Sequence, residues 1–227
     1  MVKGLFITGT DTGVGKTYVA TGLVTALRRR GVNVGVMKPA ETGCSMRFGQ
    51  LIPKDAQRLI KAAGVRDSLA LVNPYRFRKP LAPFVAAGLE RKQVNMREII
   101  NAYHTLSTRH EFMIVEGAGG IMVPLSRSAT YLDLAYSIGI PVLIVARPGL
   151  GTINHTLLTV SALRERNIPI AGIMINYAKD WETGLAEQTS PDLIEQMSNV
   201  KIAGIILYLS KEFDHSAGRL LESPLSG

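Results

Sequence analysis

The sequence predicts an α/β protein, a single domain built on a parallel β-sheet with helices on both faces. Along the 227 residues, short apolar segments typical of strands alternate with segments typical of helices. The strand-like segments are nearly continuous apolar runs, as expected for strands buried on both faces of a sheet. Hydrophobic residues make up 46% of the chain, enough for one large core, and no low-complexity stretch marks a linker. We therefore expect residues 1–227 to form one domain.

The first half of the chain begins with a buried strand, a glycine loop and a helix. After the second helix, Pro74, Pro80 and Pro83 interrupt any regular pattern, because the residue before a proline disfavours the helical conformation. We therefore expect residues 64–94 to be irregular. The predicted elements of this half are a strand at 5–8, a helix at 16–30, a strand at 32–37, a helix at 55–63 and a helix at 96–110.

The second half continues the alternation with short strands and helices. The segment 141–145 is rich in β-branched residues, which favour strands. The predicted elements of this half are a strand at 112–115, a helix at 131–138, a strand at 141–145, a helix at 152–166, a strand at 170–175, a helix at 191–198 and a strand at 202–207.

The charge of the chain limits its partners. The formal net charge is +8, which is compatible with nucleic-acid binding. However, the basic residues form short separate clusters, and no aromatic residues interleave with them to stack on bases. We interpret the clusters, at residues 28–30, 76–79 and 91–92, as solvated faces that also attract anionic substrates. We expect no nucleic-acid partner.

Composition also bears on location and metals. The longest apolar stretches, residues 140–146 and 202–209, are far shorter than a membrane span, and the N-terminus leaves no room for a signal peptide. Cys44 is the only cysteine, so an intramolecular disulfide cannot form. We expect a cytoplasmic protein without membrane association. No zinc site is expected, because metal-ligand spacing is absent among His104, His110, His155 and His215.

Unusual polar and glycine residues follow most of the predicted strands. The glycine loop follows the first strand, and Lys38 follows the second. Glu116 with three glycines, residues 147–151 and Asn176 follow later strands. In a parallel sheet of this type, ligands bind outside the carboxyl ends of the strands. We therefore expect one site at this edge of the sheet.

Residues 9–17, with the sequence GTDTGVGKT, lie between a predicted strand and a predicted helix. Glycines allow backbone N–H groups to surround phosphate oxygens, and the helix adds the positive end of its dipole. Lys16 could reach the β- and γ-phosphates, and Thr17 could ligate Mg²⁺. Five residues, not the usual four, separate Gly9 from Gly15. The alternative is a helix capped by a glycine turn, but this order of features favours a P-loop NTPase-like nucleotide site.

Other residues at this edge have two interpretations each. Glu116 either holds Mg²⁺ or is a solvated strand end, and its place beside a phosphate loop favours the metal. For Asp55, which opens a helix, the residues alone favour a helix cap. Lys38 either neutralises a transferring phosphoryl group or reaches solvent, and the residues alone favour neither. Residues 149–154 either seat a carboxylate or simply begin a helix.

Together these segments resemble the dethiobiotin synthetase family, and the resemblance covers nearly the whole chain. The matching segments are the glycine loop with its Thr-Asp-Thr insert, Lys38-Pro39 with Thr42-Gly43, Asn73-Pro74-Tyr75, Pro80-Leu81-Ala82-Pro83, Glu116-Gly117-Ala118-Gly119-Gly120 and Ile153-Asn154-His155. They occur in the family's order. The loop and the Glu-Gly-Ala-Gly-Gly run are shared with related amide-forming ligases. The Lys38 and Asn154 segments in combination are more selective.

The resemblance implies a reaction with two cofactors, ATP and Mg²⁺. One amine of 7,8-diaminononanoate takes up CO₂, or its hydrated form bicarbonate, as a carbamate. ATP phosphorylates the carbamate to a mixed anhydride, and the second amine closes a cyclic urea with release of phosphate. The resemblance also implies a homodimer, in which a neighbouring subunit helps to bind the substrate.

By the family pattern, individual residues receive roles. The catalytic residues would be Lys38, Thr12 and Lys16. ATP would be bound by Gly13, Val14, Gly15, Lys16, Thr17, Tyr18, Glu116, Gly117, Ala118, Gly119 and Asn176, the last at the adenine edge. The metal would be held by Thr17, Asp55 and Glu116. Substrate contacts would come from Thr42 and, across the subunit interface, from Gly151 and Asn154.

One segment departs from the family. Near the last strand the family usually has Gly-x-Ile-Pro, whereas here Leu207 follows Gly204-Ile205-Ile206, which leaves the nucleotide preference open. Two other functions remain as alternatives. One is a partitioning-type P-loop ATPase switch with a protein partner, against which Asp11 counts because those proteins carry a second lysine there. The other is a cobyrinate-type amidating ligase.

Overall fold

The computed structural model describes residues 3–180 and 184–222. The predicted single domain also includes residues 1–2, 181–183 and 223–227, which lie outside the described residues. The strands are β1 (Lys3–Gly9), β2 (Val34–Met37), β3 (Ala40–Glu41), β4 (Ser45–Arg47), β5 (Gln50–Ile52), β6 (Tyr75–Arg76), β7 (Phe112–Gly120), β8 (Val142–Ala146), β9 (Ile170–Asn176) and β10 (Ile202–Ile206). The helices are α1 (Lys16–Arg29), α2 (Lys54–Ala63), α3 (Leu69–Val72), α4 (Pro83–Leu89), α5 (Met96–Ser107), α6 (Tyr131–Ile138), α7 (Thr152–Glu165), α8 (Leu185–Ser198) and α9 (Asp214–Glu222).

In the described part of the chain, six strands form one sheet in the order β10-β9-β8-β1-β7-β2. Every neighbouring pair in it is parallel. The strand β1 lies inside the sheet, with Leu5 opposite Ile114 of β7 and Phe6 opposite Val142 of β8. Outside this sheet, β3 pairs with β6, and β4 with β5 forms an antiparallel hairpin. The predicted α/β class with a parallel sheet is confirmed.

The connections explain why helices cover both faces of the sheet. Crossovers between parallel strands are right-handed, so the direction of travel decides which face a helix covers. The chain passes from β1 through α1 to β2 in one direction, and from β2 through β7, β8 and β9 to β10 in the other. In agreement, α5 packs with α6 and α7 with α8, whereas α1 packs with α9. The helix α2 follows β2 but packs against α1.

The central strands supply the core. Leu5, Phe6 and Ile7 of β1 are buried, and so are all residues of β8. Such strands can be apolar on both faces because helices exclude water from both. Within the described residues, no helix is long and apolar enough to cross a membrane.

The prediction that residues 64–94 are irregular is wrong. This segment contains α3, β6 and α4. Pro83 occupies the start of α4, where the missing N–H of proline costs nothing. The two residues of β6 are extended because β3 provides their hydrogen-bonding partner. Tertiary pairing therefore orders a segment whose local sequence favours turns.

The prediction of a helix over 191–198 is wrong about its start. The helix α8 begins at Leu185, so Pro191 lies inside it. The side chain of Glu187 accepts a 3.0 Å hydrogen bond from the backbone N–H of Gly184, which stabilises the first turn. Proline lacks the N–H that would bond to the carbonyl of Glu187, but the rest of the helix tolerates this loss. The hairpin of β4 and β5 and the helix α9 are further elements that local patterns did not predict.

Candidate active site

The glycine loop joins β1 to α1 at the carboxyl edge of the sheet. Gly13 and Gly15 have φ angles of 79° and 91°, in the left-handed region that favours glycine. Gly15 also has no room for a side chain, because a Cβ there would lie 2.1 Å from Nδ2 of Asn176. Glycine at position 15 therefore allows the loop to approach the end of β9 closely.

The first turn of α1 is free to bind an anion. Gly15, the N-cap, makes no side-chain hydrogen bond to the helix, and the described residues 16–19 carry no acidic side chain. The unpaired N–H groups and the helix dipole make this end positive. The ammonium of Lys16 lies across the loop and donates a 3.0 Å hydrogen bond to the carbonyl of Asp11. This is the geometry of a phosphate-binding loop.

A buried ionic cluster lies beside the loop. Nζ of Lys38 is 2.5 Å from Oε1 of Glu116 and 3.5 Å from Oδ2 of Asp55. Lys38 also donates a 3.0 Å hydrogen bond to the carbonyl of Gly117. The hydroxyl of Thr17 donates to the same Glu116 oxygen over 2.7 Å. The cluster therefore joins the phosphate-loop helix, the end of β2, the start of α2 and β7.

The cluster shifts the charge states of its lysines. Burial, together with the positive charge of Lys38, lowers the pKa of Lys16 to about 8. Burial alone would lower the pKa of Lys38, but the carboxylates of Glu116 and Asp55 outweigh it and raise that pKa above its usual value. Lys38 is therefore held as a cation inside the site.

One carboxylate oxygen in the cluster has no protein partner. Oε2 of Glu116 is buried and accepts no hydrogen bond from any described residue. An ionised oxygen in this position is costly unless a ligand satisfies it. Glu116, Asp55 and the hydroxyl of Thr17 are oxygen donors of the kind that Mg²⁺ prefers. Among the described residues, no group of three or more His, Cys, Asp or Glu side chains is arranged to hold a metal ion.

A cavity of about 570 Å³ brings most of the predicted site residues together. Its lining includes the predicted residues Thr12, Gly13, Gly15, Lys16, Thr17, Tyr18, Lys38, Thr42, Asp55, Glu116, Ala118 and Gly119. Residues 80–83 and Val123 close another side of it. A second cavity, of about 620 Å³ and lined by Tyr75, Phe77 and Lys92 among others, contains none of the predicted site residues. The cavity of about 570 Å³, beside the glycine loop, is therefore the candidate active site.

Asn176 and Tyr18 lie at the same edge and also hold the loop in place. Asn176 is buried, and its Nδ2 donates a 2.8 Å hydrogen bond to the carbonyl of Val14. Its Oδ1 has no partner among the described residues and could accept from a ligand. The hydroxyl of Tyr18 donates to the carbonyl of Ser210, which ties α1 to the segment after β10. In that segment Leu207 is exposed.

Gly151 and Asn154 are absent from the lining of the candidate cavity, unlike Thr42. Gly151 is the left-handed N-cap of α7, and Asn154 is exposed in the first turn of that helix. Around them, Nε of Arg147 and Nδ1 of His155 are buried without a partner in the described chain. This helix start therefore carries unsatisfied polar groups outside the cavity.

Two predictions about the acids need correction. Glu116 does not end its strand, because β7 continues to Gly120 and pairs there with Gly9. Asp55 is not a helix cap, although the sequence alone favours that role. Pro53 occupies the N-cap of α2, and the side chain of Glu41 accepts the N–H groups of the first turn instead. Asp55 is left free to face Lys38.

Glu41 and Arg58 line the cavity but are absent from the predicted site. Glu41 stands next to Thr42, in a segment already singled out, so its neighbourhood is visible in the sequence. The contact of Glu41 with α2 cannot be seen in the sequence, because the residues that donate to it, Asp55 and Ala56, are 14 and 15 positions away. Arg58 lies one turn after Asp55 on α2, and that spacing puts both residues on the same helix face.

The fold and the site define a P-loop nucleotide-binding protein. A protein-family profile described as an AAA domain matches residues 3–212. The names of the curated relatives specify a function more narrowly than this family description does. The ATP-dependent dethiobiotin synthetase BioD of Thermodesulfovibrio yellowstonii is 41% identical, over 93% of this chain and 91% of its own length. The proteins of the same name from Anaeromyxobacter dehalogenans and Methanocaldococcus jannaschii are 50% and 41% identical, over 77% and 89% of this chain and 77% and 92% of theirs.

The chain belongs to the dethiobiotin synthetase family and is a ligase. Among solved structures, the septum site-determining protein MinD of Pyrococcus horikoshii, complexed with Mg-ADP, is similar with a TM-score of 0.62 at 14% identity, over 99% of this chain and 98% of that one. The MinD cell division ATPase of Pyrococcus furiosus gives a TM-score of 0.61 at 14% identity, over 100% and 93%. At this identity the likeness concerns the fold alone.

Proposed function

We propose that this chain closes 7,8-diaminononanoate with CO₂ to dethiobiotin at the expense of ATP. The observation that carries the proposal is the single cavity lined by Lys16, Thr17, Lys38, Asp55 and Glu116, in a chain of the dethiobiotin synthetase family. The cavity offers a phosphate cradle, an oxygen-rich metal position and a buried cation side by side. A ligase that activates an acceptor with ATP needs these three features in contact.

The phosphate loop suits the polyphosphate of ATP. The uncapped start of α1 provides N–H donors, and Lys16 provides a positive charge. The contact of Lys16 with the carbonyl of Asp11 keeps its ammonium over the loop. Asn176 has an unpartnered Oδ1, which suits the amino group of the adenine ring.

The acids of the cavity suit Mg²⁺. Asp55 and Glu116 would repel a polyphosphate unless a cation lay between them, and Oε2 of Glu116 lacks a protein partner. With Thr17 they form a set of two carboxylates and a hydroxyl, which leaves other positions for phosphate and water. When bound there, Mg²⁺ would neutralise charge on the phosphates.

Lys38 is the residue best suited to act on the reacting group. It is a buried cation within reach of Asp55 and Glu116, so it can orient an anionic carbamate and offset charge on the phosphoryl group in transfer. Thr12 lines the same cavity and can donate a hydrogen bond to that carbamate. Thr42, next to the lysine segment, can contact the amines.

The chemical steps balance without a further reactant. A neutral amine attacks CO₂ and loses a proton, giving a carbamate. A carbamate oxygen attacks the γ-phosphorus, and ADP leaves with the electrons of the broken bond. The second amine then attacks the carbonyl carbon and loses a proton to solvent, and phosphate leaves with the oxygen that had been phosphorylated. The protein positions these groups and excludes water from the mixed anhydride.

Oxygen labelling tests these steps. With ¹⁸O-labelled CO₂ in unlabelled water, at times short relative to exchange with water, label must appear in both the cyclic urea and the inorganic phosphate. In the control without the diamine, only background phosphate should be present, and it should be unlabelled. Unlabelled phosphate in the complete reaction would rule out phosphorylation of the carbamate.

We also propose that the chain acts as a homodimer. Gly151 and Asn154 lie outside the cavity of their own subunit, and buried atoms of Arg147 and His155 near them lack partners. A second copy that brings this helix start to the cavity would satisfy these groups and seat the carboxylate of the substrate tail.

Mixing two inactive variants tests the shared site. Lys38→Ala and Asn154→Ala subunits, mixed equally after dissociation, should recover about a quarter of the wild-type activity, because half of the dimers are hybrids with one intact site each. Recovery should fail if each subunit holds a complete site. The two alternative functions lack comparable support. The curated relatives reported above are dethiobiotin synthetases, not amidating ligases, and the likeness to MinD is one of fold only.

A further inference from the structure

Glu41 joins the lysine segment to the helix that carries Asp55. It is the second residue of β3 and is buried, with 5% of its surface exposed. Its Oε1 accepts a 2.9 Å hydrogen bond from the backbone N–H of Asp55, and its Oε2 accepts one of the same length from Ala56. One carboxylate thus binds two consecutive amides of α2.

The helix α2 depends on this carboxylate to accept the hydrogen bonds of its first N–H groups. The N-cap position is Pro53, and it makes no side-chain hydrogen bond to the helix. The first N–H groups of a helix have no partner within the helix and need an acceptor from elsewhere. A carboxylate is a strong acceptor, and its charge is favourable at a helix N-terminus. Glu41 therefore caps α2 from a different element.

The backbone of Glu41 is itself held in place. Its carbonyl accepts a 2.9 Å hydrogen bond from the N–H of Phe77, next to β6. Upstream, Nδ2 of Asn73 donates a 2.6 Å hydrogen bond to the carbonyl of Lys38. The backbone from Lys38 to Glu41 is therefore held in place by hydrogen bonds that do not involve α2. The side chain of Glu41 can thus fix the position of the first turn of α2.

We infer that Glu41 is a positioning residue, which fixes the first turn of α2 so that the carboxylate of Asp55 faces Lys38 and the cavity. Oδ2 of Asp55 lies 3.5 Å from Nζ of Lys38, in the turn whose amides Glu41 binds. The inference rests on the proposed function for its consequence, since Asp55 is there a ligand of Mg²⁺. Glu41 acts through Asp55 and not on the substrate, because both of its oxygens are engaged by the backbone.

Glu41→Ala and Glu41→Gln test this role. Hydrogen exchange of the amides of Asp55 and Ala56 should become faster in Glu41→Ala, because their acceptor is lost. Calorimetric binding of a non-hydrolysable ATP analogue should show a Mg²⁺-dependent affinity reduced about tenfold, as for other residues that orient a metal ligand. Binding of the analogue without Mg²⁺ should change little. Glu41→Gln keeps one acceptor oxygen and should give intermediate values for both measurements.

Asn95→Ala is the matched control. Asn95 caps α5 by accepting a 3.0 Å hydrogen bond from the N–H of Arg97, outside the candidate cavity. It should lose a helix cap without changing Mg²⁺-dependent binding. An equal Mg²⁺-dependent loss in Asn95→Ala, or unchanged binding in both Glu41 variants, would overturn the inference.

Asp55→Ala separates this inference from the proposed function. If Asp55→Ala also loses Mg²⁺-dependent affinity, the metal role stands and the Glu41 variants decide the positioning role. If Asp55→Ala binds the analogue normally with Mg²⁺, Asp55 does not bind the metal, and the inferred role of Glu41 is wrong as well. If only the KM for the diamine rises in Glu41→Gln, with normal exchange at Asp55, then Glu41 contacts substrate and the positioning role is wrong.

Discussion

Lys38 and Glu116 depend on each other at the residue scale. Their charged atoms are 2.5 Å apart and both side chains are almost fully buried. A buried charge whose partner is removed is destabilising, so the pair must be considered as a unit. Oε2 of Glu116 has no hydrogen-bond partner among the described residues, and we propose that Mg²⁺ binds there.

Lys38→Ala should reduce turnover by about 10²- to 10³-fold, because a positive charge aimed at the transferring group is lost. Affinity for the ATP analogue should change much less, since Lys16 and the helix start remain. The free energy of unfolding should fall by about 3–5 kcal/mol, because the buried Glu116 loses its charged partner. Steady-state kinetics, calorimetry and urea unfolding measure these three effects. The exposed Lys61→Ala is the control, and wild-type turnover in Lys38→Ala would refute the role.

Asp67 predicts a pH dependence of stability far from the site. Burial alone would raise its pKa, but hydrogen bonds from His110 and Arg109, of 2.7 and 2.9 Å, hold that pKa below its usual value. A carboxyl with a depressed pKa in the folded state stabilises the fold above its unfolded pKa. This contribution is lost as pH falls through the folded value.

Asp67→Asn should therefore lower the free energy of unfolding at pH 7 by about 1–3 kcal/mol. The difference from wild type should shrink as pH falls below about 4. Urea unfolding at pH 7 and pH 3 measures it. Catalytic activity per folded molecule should be unchanged. A difference that stays constant between these pH values would contradict the assigned cause.

At the scale of elements, the glycine loop is the most constrained segment. Gly15 combines a positive φ with a close approach to Asn176. Gly15→Ala should abolish nucleotide binding measured by calorimetry, because the added methyl group displaces the loop from β9. Gly88→Ala is a matched control in α4, where a Cβ meets no atom within 4 Å. It should leave nucleotide binding unchanged. Normal nucleotide binding by Gly15→Ala would mean that the loop adapts.

Local sequence signals predicted the elements that local physics determines. The strands β1 and β8 could be predicted from their own sequences, because each is a continuous apolar run followed by glycines or a helix. The hairpin of β4 and β5 was not predicted, because its turn uses Phe48 and Gly49 with φ angles of 49° and 76°. Phenylalanine rarely adopts such an angle, so its presence gives no turn signal.

The candidate site was predictable to the extent that its residues follow strands. Lys38 follows β2 and Asn176 ends β9, whereas Glu116 follows the apolar run 112–115 inside β7. The parallel sheet brings all three to one edge. The sequence favours Asp55 as the cap of α2, because a helix cap normally lies next to the helix in sequence, and this prediction is wrong. Glu41 reaches the helix through the fold. Contacts of this kind are set by tertiary structure, which residue patterns do not encode locally.

At the scale of the whole molecule, the sheet assembles a site from distant parts of the chain. Thr17 and Glu116 are 99 residues apart in sequence, and Lys38 and Glu116 are 78 apart, yet each pair is hydrogen-bonded. The parallel order of β1, β7 and β2 is what brings them together. Local unfolding of any one of these strands should therefore disable the entire site.

If one cavity couples ATP cleavage to closure of the cyclic urea, phosphate and dethiobiotin must form together. The most direct measurement is the simultaneous assay of phosphate and dethiobiotin with ATP, Mg²⁺, bicarbonate and 7,8-diaminononanoate, omitting each in turn. We expect equal amounts of the two products and no phosphate above background when the diamine is omitted. Phosphate release that is the same with and without the diamine, and is stimulated only by a protein or DNA partner, would contradict this coupling.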